Sequence, residues 1–331
     1  MTYKKASGLL DRRHVLLGGA ALGAGYLALR AGVGPASAQD VKPGGTLRVG
    51  LGSAGAKSSL NPLISTGDMD FAVSQSIYDR LTDFDKDGKL YNSLAEDFSH
   101  NEAGDVWKIK LRSGILWHDG TPFSADDVVY TLQYALNPDN KADAYPSLTP
   151  FLAPNDLKAV DPTTVEVRLS RPYALLPQIL GSKVMSIIKN GTKSFDSPVG
   201  TGPFKFKSWE RGQRVSLVKS ENYRVAGKPY LDGVEFIAIN DSTARMNALV
   251  AGQVDAVAQL DPSLAGIVSA NPALSLIRSK SSATTDQFMM TNLEPFKDVR
   301  VRQAFRLMVD RKQLVQNALS GYGIIGNDIV A

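Results

Sequence analysis

Apolar positions along the chain alternate between a period of two and a helical period, and the switches mark its elements. "GGTLRVGL" (44–51) sets Leu47, Val49 and Leu51 on one face, the mark of a strand. "FAVSQSIYDRL" (71–81) instead spaces Phe71, Ser74, Ile77, Tyr78 and Leu81 as a helix. "FDKDGKL" (84–90) predicts a hairpin turn at Asp87-Gly88. Further strands are predicted over "VWKIKL" (106–111), with Trp107, Ile109 and Leu111 facing one way, and "TTVEVRL" (163–169). "GTGPFKFKSWERGQRVSLVK" (200–219) runs through a glycine turn into two short strands. A strand–helix–strand unit follows: "VEFIAI" (234–239), "STARMNALVA" (242–251) capped by Asp241 or Ser242, then "VDAVAQ" (254–259). Such a crossover places parallel strands in one sheet. The last block, 298–321, reads as two helices. Val301, Phe305, Met308 and Val309 form one stripe, and Leu314, Val315 and Ala318 another, with an N-cap at Asp310 and a stop at Gly321.

The first 38 residues follow a different pattern. Lys4, Lys5, Arg12 and Arg13 precede a glycine-rich apolar run (15–29), and "PASAQD" offers a cleavage site at Ala36–Ala38. This is the layout of a secretory signal peptide, and the Arg12-Arg13 pair gives it a twin-arginine character. The run is broken by Arg30, short of the roughly 20 residues a spanning helix needs. Residues 1–38 carry five of the 37 basic residues and one of the 33 acidic ones, leaving 32 of each in the remainder. The balance beyond the leader is therefore zero, and no basic excess argues for nucleic acid. There are no cysteines, which excludes disulfides, thiolate metal sites and a cysteine nucleophile.

Candidate chemistry is sparse. Only His100 and His118 lie beyond the leader, and no metal-binding histidine pair, nucleophile elbow or phosphate loop is present. "GSAGAKSS" (52–59) lacks the glycine spacing of a phosphate cradle. Asp85, Asp87 and Glu96 fall at positions 1, 3 and 12 of a calcium loop, but Lys89 takes position 5 and glycine stands at 4 rather than 6. A surface turn is expected there. "LWHDGTPFSADDVVYTL" (116–132) gathers His118, Asp119, Asp126 and Asp127, the one stretch that suggests an active site. Asp119-Gly120 reads as a turn. Ser124 and Asp127 read as a capping box, with Asp126 and Asp127 in the first turn of a helix that ends at Asn137-Pro138. No second histidine stands near His118 to share a metal.

With these residues in place, "LRSGILWHDGTPFSADDVVYTL" closely resembles the signature region of the extracellular solute-binding proteins, family 5, the dipeptide/oligopeptide/nickel class serving ABC importers. "IYDRLTDFDKDGKLYNSLAEDF", "VGTGPFKFKSWERGQRVSLVKSENY", "YLDGVEFIAINDSTARMNALVAGQVDAV" and "FMMTNLEPFKDVRVRQAFRLMVDRKQLV" agree in order. The resemblance implies an α/β, two-lobed periplasmic-binding-protein-like fold, with the first lobe nearly complete and the second only begun. It divides the chain into a leader (1–38), a first-lobe core (39–60 and 185–285), an insertion subdomain (61–184) and the start of a second lobe (286–331), truncated at the C-terminus. The crossing between lobes falls near "TTDQFMMTN" (284–292).

The implied function is periplasmic capture of a solute, most simply a peptide, for delivery to ABC permease subunits at the inner membrane. That function needs no catalysis, cofactor or metal, and the complete protein would be a monomer. Sugars, opines and metal chelates are alternative ligands on the same scaffold. Candidate ligand contacts are Ser53, Ala54 and Gly55 after the first strand, Thr201, Gly202 and Pro203, and Met289 and Thr291 on the crossing. Two other readings stand beside this one: a non-functional truncated fragment, and an exported enzyme using His118 and Asp119 as an acid/base pair.

Overall fold

The computed structural model describes residues 15–18, 42–52, 58–65, 67–278 and 288–326. The chain divides into two compact units, Leu22–Ala258 and a smaller one made of Met1–Ala21 with Gln259–Ala331. In the smaller unit β1 (Val15–Gly18) pairs in parallel with a strand over Leu274–Ile277, numbered β13 below.

The larger unit opens with β2 (Thr46–Leu51), followed by α1 (Asp68–Ile77) and the β3 (Thr82–Phe84) and β4 (Leu90–Asn92) hairpin. The hairpin turn is where the pattern puts it. Gly88 has φ +78°, and Asp85 Oδ1 accepts the N–H groups of Asp87 and Lys89, both at 2.9 Å. Then come β5 (Ala95–His100), β6 (Val106–Leu111), α2 (Ala125–Leu136), α3 (Tyr145–Leu148), β7 (Leu157–Asp161), β8 (Thr164–Arg168) and α4 (Leu176–Leu180). β5-β6-β8-β7 form an antiparallel sheet. Trp107, Ile109 and Leu111 of β6 point inward with Val165 and Val167 of β8, while Lys108 and Lys110 point out. The buried stripe of α2, Ala125, Val128, Leu132 and Ala135, packs against β7 and β8 and closes this core.

The unit finishes with β9 (Phe204–Glu210), β10 (Arg214–Lys219), β11 (Gly233–Ala238), α5 (Ser242–Val250) and β12 (Ala256–Ala258). Its main sheet runs β12-β2-β11-β10-β9. β12 and β11 flank β2 in parallel, so the β11–α5–β12 crossover steps over β2, and β10 and β9 extend the sheet as antiparallel strands. Phe204, Lys219, Gly233 and Thr46 mark one end of this sheet, the amino end of the parallel strands. α1 packs against β9 and β11.

One expectation changes, and two strands appear that the sequence did not announce. The strand expected over 254–259 shrinks to β12; just before it, the Asp255 N–H donates to Arg48 O at 2.8 Å and Arg48 Nη2 lies 2.7 Å from Asp255 Oδ1. Gln259, at φ +55°, ends the strand. β5 and β7 carry no period-two signal in the sequence, and the cause is visible: each has a register shift, between Ala95 and Asp97 and between Ala159 and Asp161. A bulge inserts a residue and breaks the alternation.

The smaller unit also contains α6 (Ala265–Ala270), α7 (Val299–Met308) and α8 (Arg311–Ala318). Asp298 and Asp310 cap the last two, with Asp310 Oδ1 accepting from the N–H groups of Lys312 at 2.9 Å and Gln313 at 3.1 Å. Neither helix buries a residue. Of the stripe predicted along α7, Met308 is exposed, while Val301, Phe305 and Val309 are half-buried, Phe305 against the edge of Phe296. No helix among the described residues is long and apolar enough to cross a membrane.

Candidate functional site

In open sheets with parallel strands, ligands bind beyond the carboxyl ends of those strands. Here that end is built by β2 and β11. The Ile239 N–H donates to Leu51 O at 2.8 Å, tying the two strand ends together. α5 then starts at Asp241, whose Oδ1 accepts the Ala244 N–H at 2.7 Å. One turn into α5, Arg245 folds back: its Nη1 donates to Ile239 O at 2.7 Å and Asn240 O at 2.8 Å. Gly52 admits the guanidinium, since a Cβ there would stand 2.9 Å from Nη1. Asp68, first residue of α1, belongs to the same neighbourhood. Burial raises its carboxyl pKa, and the charges of Lys183 and Arg245 pull against that rise. Ser53, Ala54 and Gly55, which follow Gly52 in the sequence, lie outside the described residues.

Thr201, Gly202 and Pro203 are buried at the opposite, amino end of the sheet, leading into β9. The Gly202 N–H donates to Ile77 O at 2.8 Å, at the end of α1. A Cβ on Gly200 would stand 1.9 Å from Ile77 O, and one on Gly202 2.7 Å from it. Close backbone approach, not a turn, makes this Gly-x-Gly necessary. Thr201 Oγ1 donates to Asp79 Oδ2 at 3.2 Å. Asp79 also faces Arg224, whose Nη2 lies 3.6 Å from Oδ1 and donates to Ser93 Oγ at 2.8 Å. Beside this network Arg80 and Asp83 form a buried ion pair. Met289 and Thr291 belong to the smaller unit, the first half-buried and the second exposed.

The histidine–aspartate stretch resolves into separate structural tasks. Asp119 Oδ1 accepts from the Thr121 N–H at 3.1 Å and from its hydroxyl at 2.6 Å, and Oδ2 pairs with Lys189. Burial would raise this carboxyl, but the bonds from Lys189 and Thr121 outweigh it and hold the pKa down at about 2. Asp127 does more than the predicted capping box requires. Its Oδ2 accepts from the Ser124 N–H at 2.8 Å and from Trp117 Nε1 at 3.2 Å, and its Oδ1 from the Asn190 N–H at 2.8 Å. One buried carboxylate thus joins the start of α2 to the Trp117 turn and the 190 loop.

His118 has partners the sequence did not show. Its Nδ1 accepts the Gly200 N–H at 3.2 Å, which requires the proton on Nε2, and Nε2 donates to Gly202 O at 2.9 Å. Both ring nitrogens are bonded to backbone. Burial holds the imidazole pKa below its ordinary value, against the raising effects of the Gly202 bond and of Asp79. Sequence reasoning missed this clamp, the Asp79–Arg224 contact and the Arg245 tie. The readable signals were a Gly-x-Gly leading directly into a strand, and an Asp-Arg pair inside an otherwise apolar run.

The pattern of the bacterial extracellular solute-binding proteins, family 5 Middle, matches residues 89–331. A glutathione-binding protein, GsiB, from Pectobacterium atrosepticum is 30% identical over 271 residues, covering 80% of this chain and 52% of that protein. Among solved structures, NikZ from Campylobacter jejuni in complex with Ni(L-His) is similar with a TM-score of 0.75 and 27% identity, covering 85% of this chain and 57% of that one. The oligopeptide-binding protein AppA from Bacillus subtilis, in complex with a nonapeptide, gives a TM-score of 0.69 and 27% identity over 85% of this chain and 56% of its own. The chain spans about half the length of the curated relatives it matches. With the match running through both units and the fold shared with solute-binding structures, the chain belongs to family 5 of the bacterial extracellular solute-binding proteins.

Proposed function

We propose that this chain is the solute-capturing component of an ABC importer, holding a peptide for delivery to permease subunits, with no chemistry of its own. One observation carries the reading: the acid–base groups of the histidine–aspartate stretch are tied into the architecture. Both nitrogens of His118 are on backbone, Asp119 is held by Lys189 and Thr121, and Asp127 accepts from three segments. That weighs against the exported-enzyme alternative.

Peptide is the preferred ligand because relatives named for glutathione are similar in sequence and a neighbour holding a nonapeptide is similar in fold, while the Ni(L-His) neighbour makes a chelate the runner-up. The leader over 1–38 supports export to the periplasm by the twin-arginine route. We assign 39–60 with 185–285 to the first-lobe core, 61–184 to its insertion, and 286–331 to the start of the second lobe. Ser53, Ala54 and Gly55 are the proposed ligand contacts of the larger unit, at the carboxyl end of β2. Thr201, Gly202 and Pro203, expected from the sequence as ligand contacts, are buried at the amino end of the sheet, and we give them a framing role instead. Met289 and Thr291 are the proposed contacts of the smaller unit.

Thermal-shift screening with glutathione, di- and tripeptides, oligosaccharides and nickel–histidine tests the reading. A ligand at 100 times its Kd stabilises by about 2.7 kcal/mol. A rise with peptides alone is expected. A rise only with the chelate would move the ligand class, and no rise with any of them would overturn solute capture by this chain.

A further inference from the structure

We propose that His118 is the positioning residue of the 200–203 loop and a proton-operated clamp on it, released at its Gly200 end when the ring takes a second proton. The geometry makes the two ring nitrogens unequal. Nε2 donates to Gly202 O at 2.9 Å and keeps that role in either protonation state. Nδ1 accepts from the Gly200 N–H at 3.2 Å, and a proton placed there sets two donors face to face. The Gly200 amide then has to turn away.

The loop has little freedom to adjust in place. Gly200 O already accepts the His118 N–H at 2.8 Å, and the Gly202 N–H is bonded to Ile77 O at 2.8 Å. Gly200 is packed so tightly on Ile77 O that a Cβ would stand 1.9 Å from it. Protonation therefore releases the Gly200 N–H while the Gly200 carbonyl and Gly202 remain fastened, a local loosening and not a general unfolding.

The charged groups facing the ring are few. Asp79, after α1, favours protonation but also engages Thr201 and Arg224. Asp119, on the ring's own turn, acts the same way and is paired with Lys189. Lys205 of β9 opposes it. Burial is the largest influence and favours the neutral ring. The contribution of the clamp to stability is complete above the ordinary histidine value of about 6.5 and declines as pH falls below it towards the lower folded-state value.

The proposal rests on the clamp geometry and not on any ligand, so it can fail while solute capture stands. The test is a nitrogen-15 NMR titration of the chain between pH 8 and 4, following the His118 ring and the Gly200 and Gly202 amides. The expected result is an Nε2–H tautomer at pH 8, titration below 6.5, and a Gly200 amide whose exchange accelerates at least tenfold through that titration while Gly202 changes less. His118→Asn keeps an acceptor for the Gly200 N–H and cannot titrate, so its Gly200 amide should lose the pH response. An Nδ1–H tautomer, titration at or above 6.5, or an unchanged Gly200 response in His118→Asn would overturn it.

Discussion

α2 and α7 are both amphipathic helices, and their fates differ. In α2, Ala125, Val128 and Leu132 are fully buried. In α7, Leu307 is 88% and Met308 76% exposed. A helical period in the sequence says which face is apolar but not what meets it. α2 has β7 and β8 beneath its stripe, and full burial of a leucine stabilises by about 1.5–3 kcal/mol. α7 and α8 rely on local devices: the Asp298 and Asp310 caps, the Phe296–Phe305 contact, and Arg302 Nη1 on the carbonyls of Phe296 and Lys297. Helices this short are marginal without packing.

Paired truncations should break the comparison most visibly. Leu132→Ala should cost about 2–5 kcal/mol in urea unfolding, as a cavity in a closed core. Leu307→Ala should fall within about 0.5 kcal/mol of wild type. Similar losses at the two positions would mean that α7 has a covered face. Asp127→Ala comes next. It leaves the Ser124 and Asn190 N–H groups and Trp117 Nε1 without their acceptor, so a loss of about 2–3 kcal/mol is expected in the same unfolding experiment. An effect near zero would show that Asp127 is not a joint of the larger unit.

Smaller effects sharpen the contrast. Asp310→Ala should lower the protection of the first turn of α8 by about 1 kcal/mol in hydrogen exchange, leaving global unfolding unchanged. The Asp119 carboxyl gives the weakest signal, because it is partly exposed and its ion pair is screened by solvent. Its folded pKa of about 2 lies below the unfolded 3.8. Its contribution is thus present above 3.8 and disappears as pH falls through about 2, a step that Asp119→Asn should remove from an acid-unfolding curve.

Much of the fold was legible where one face of an element is buried and the other is not. β6 reads cleanly because Lys108 and Lys110 alternate with Trp107, Ile109 and Leu111. β5 and β7 were invisible because bulges break their alternation. The candidate site was less legible for a different reason. Ser124 and Asp127 form a local motif, so their helix start could be read from spacing. His118 and Gly200 are 82 positions apart, and the Arg48–Asp255 pair 207, and no local pattern encodes such meetings. The polar stretch that looked most like an active site holds His118, Asp119 and Asp127, each engaged with distant backbone or side chains.

The central claim is that α2 buries its apolar stripe in a core shared with β7 and β8, whereas α7 and α8 are held locally. Native-state hydrogen exchange on the intact chain tests it most directly. The amides of α2 should exchange only through global unfolding, and those of α7 and α8 at an opening free energy at least about 2 kcal/mol lower. Equal protection of α2 and α7 would contradict the account.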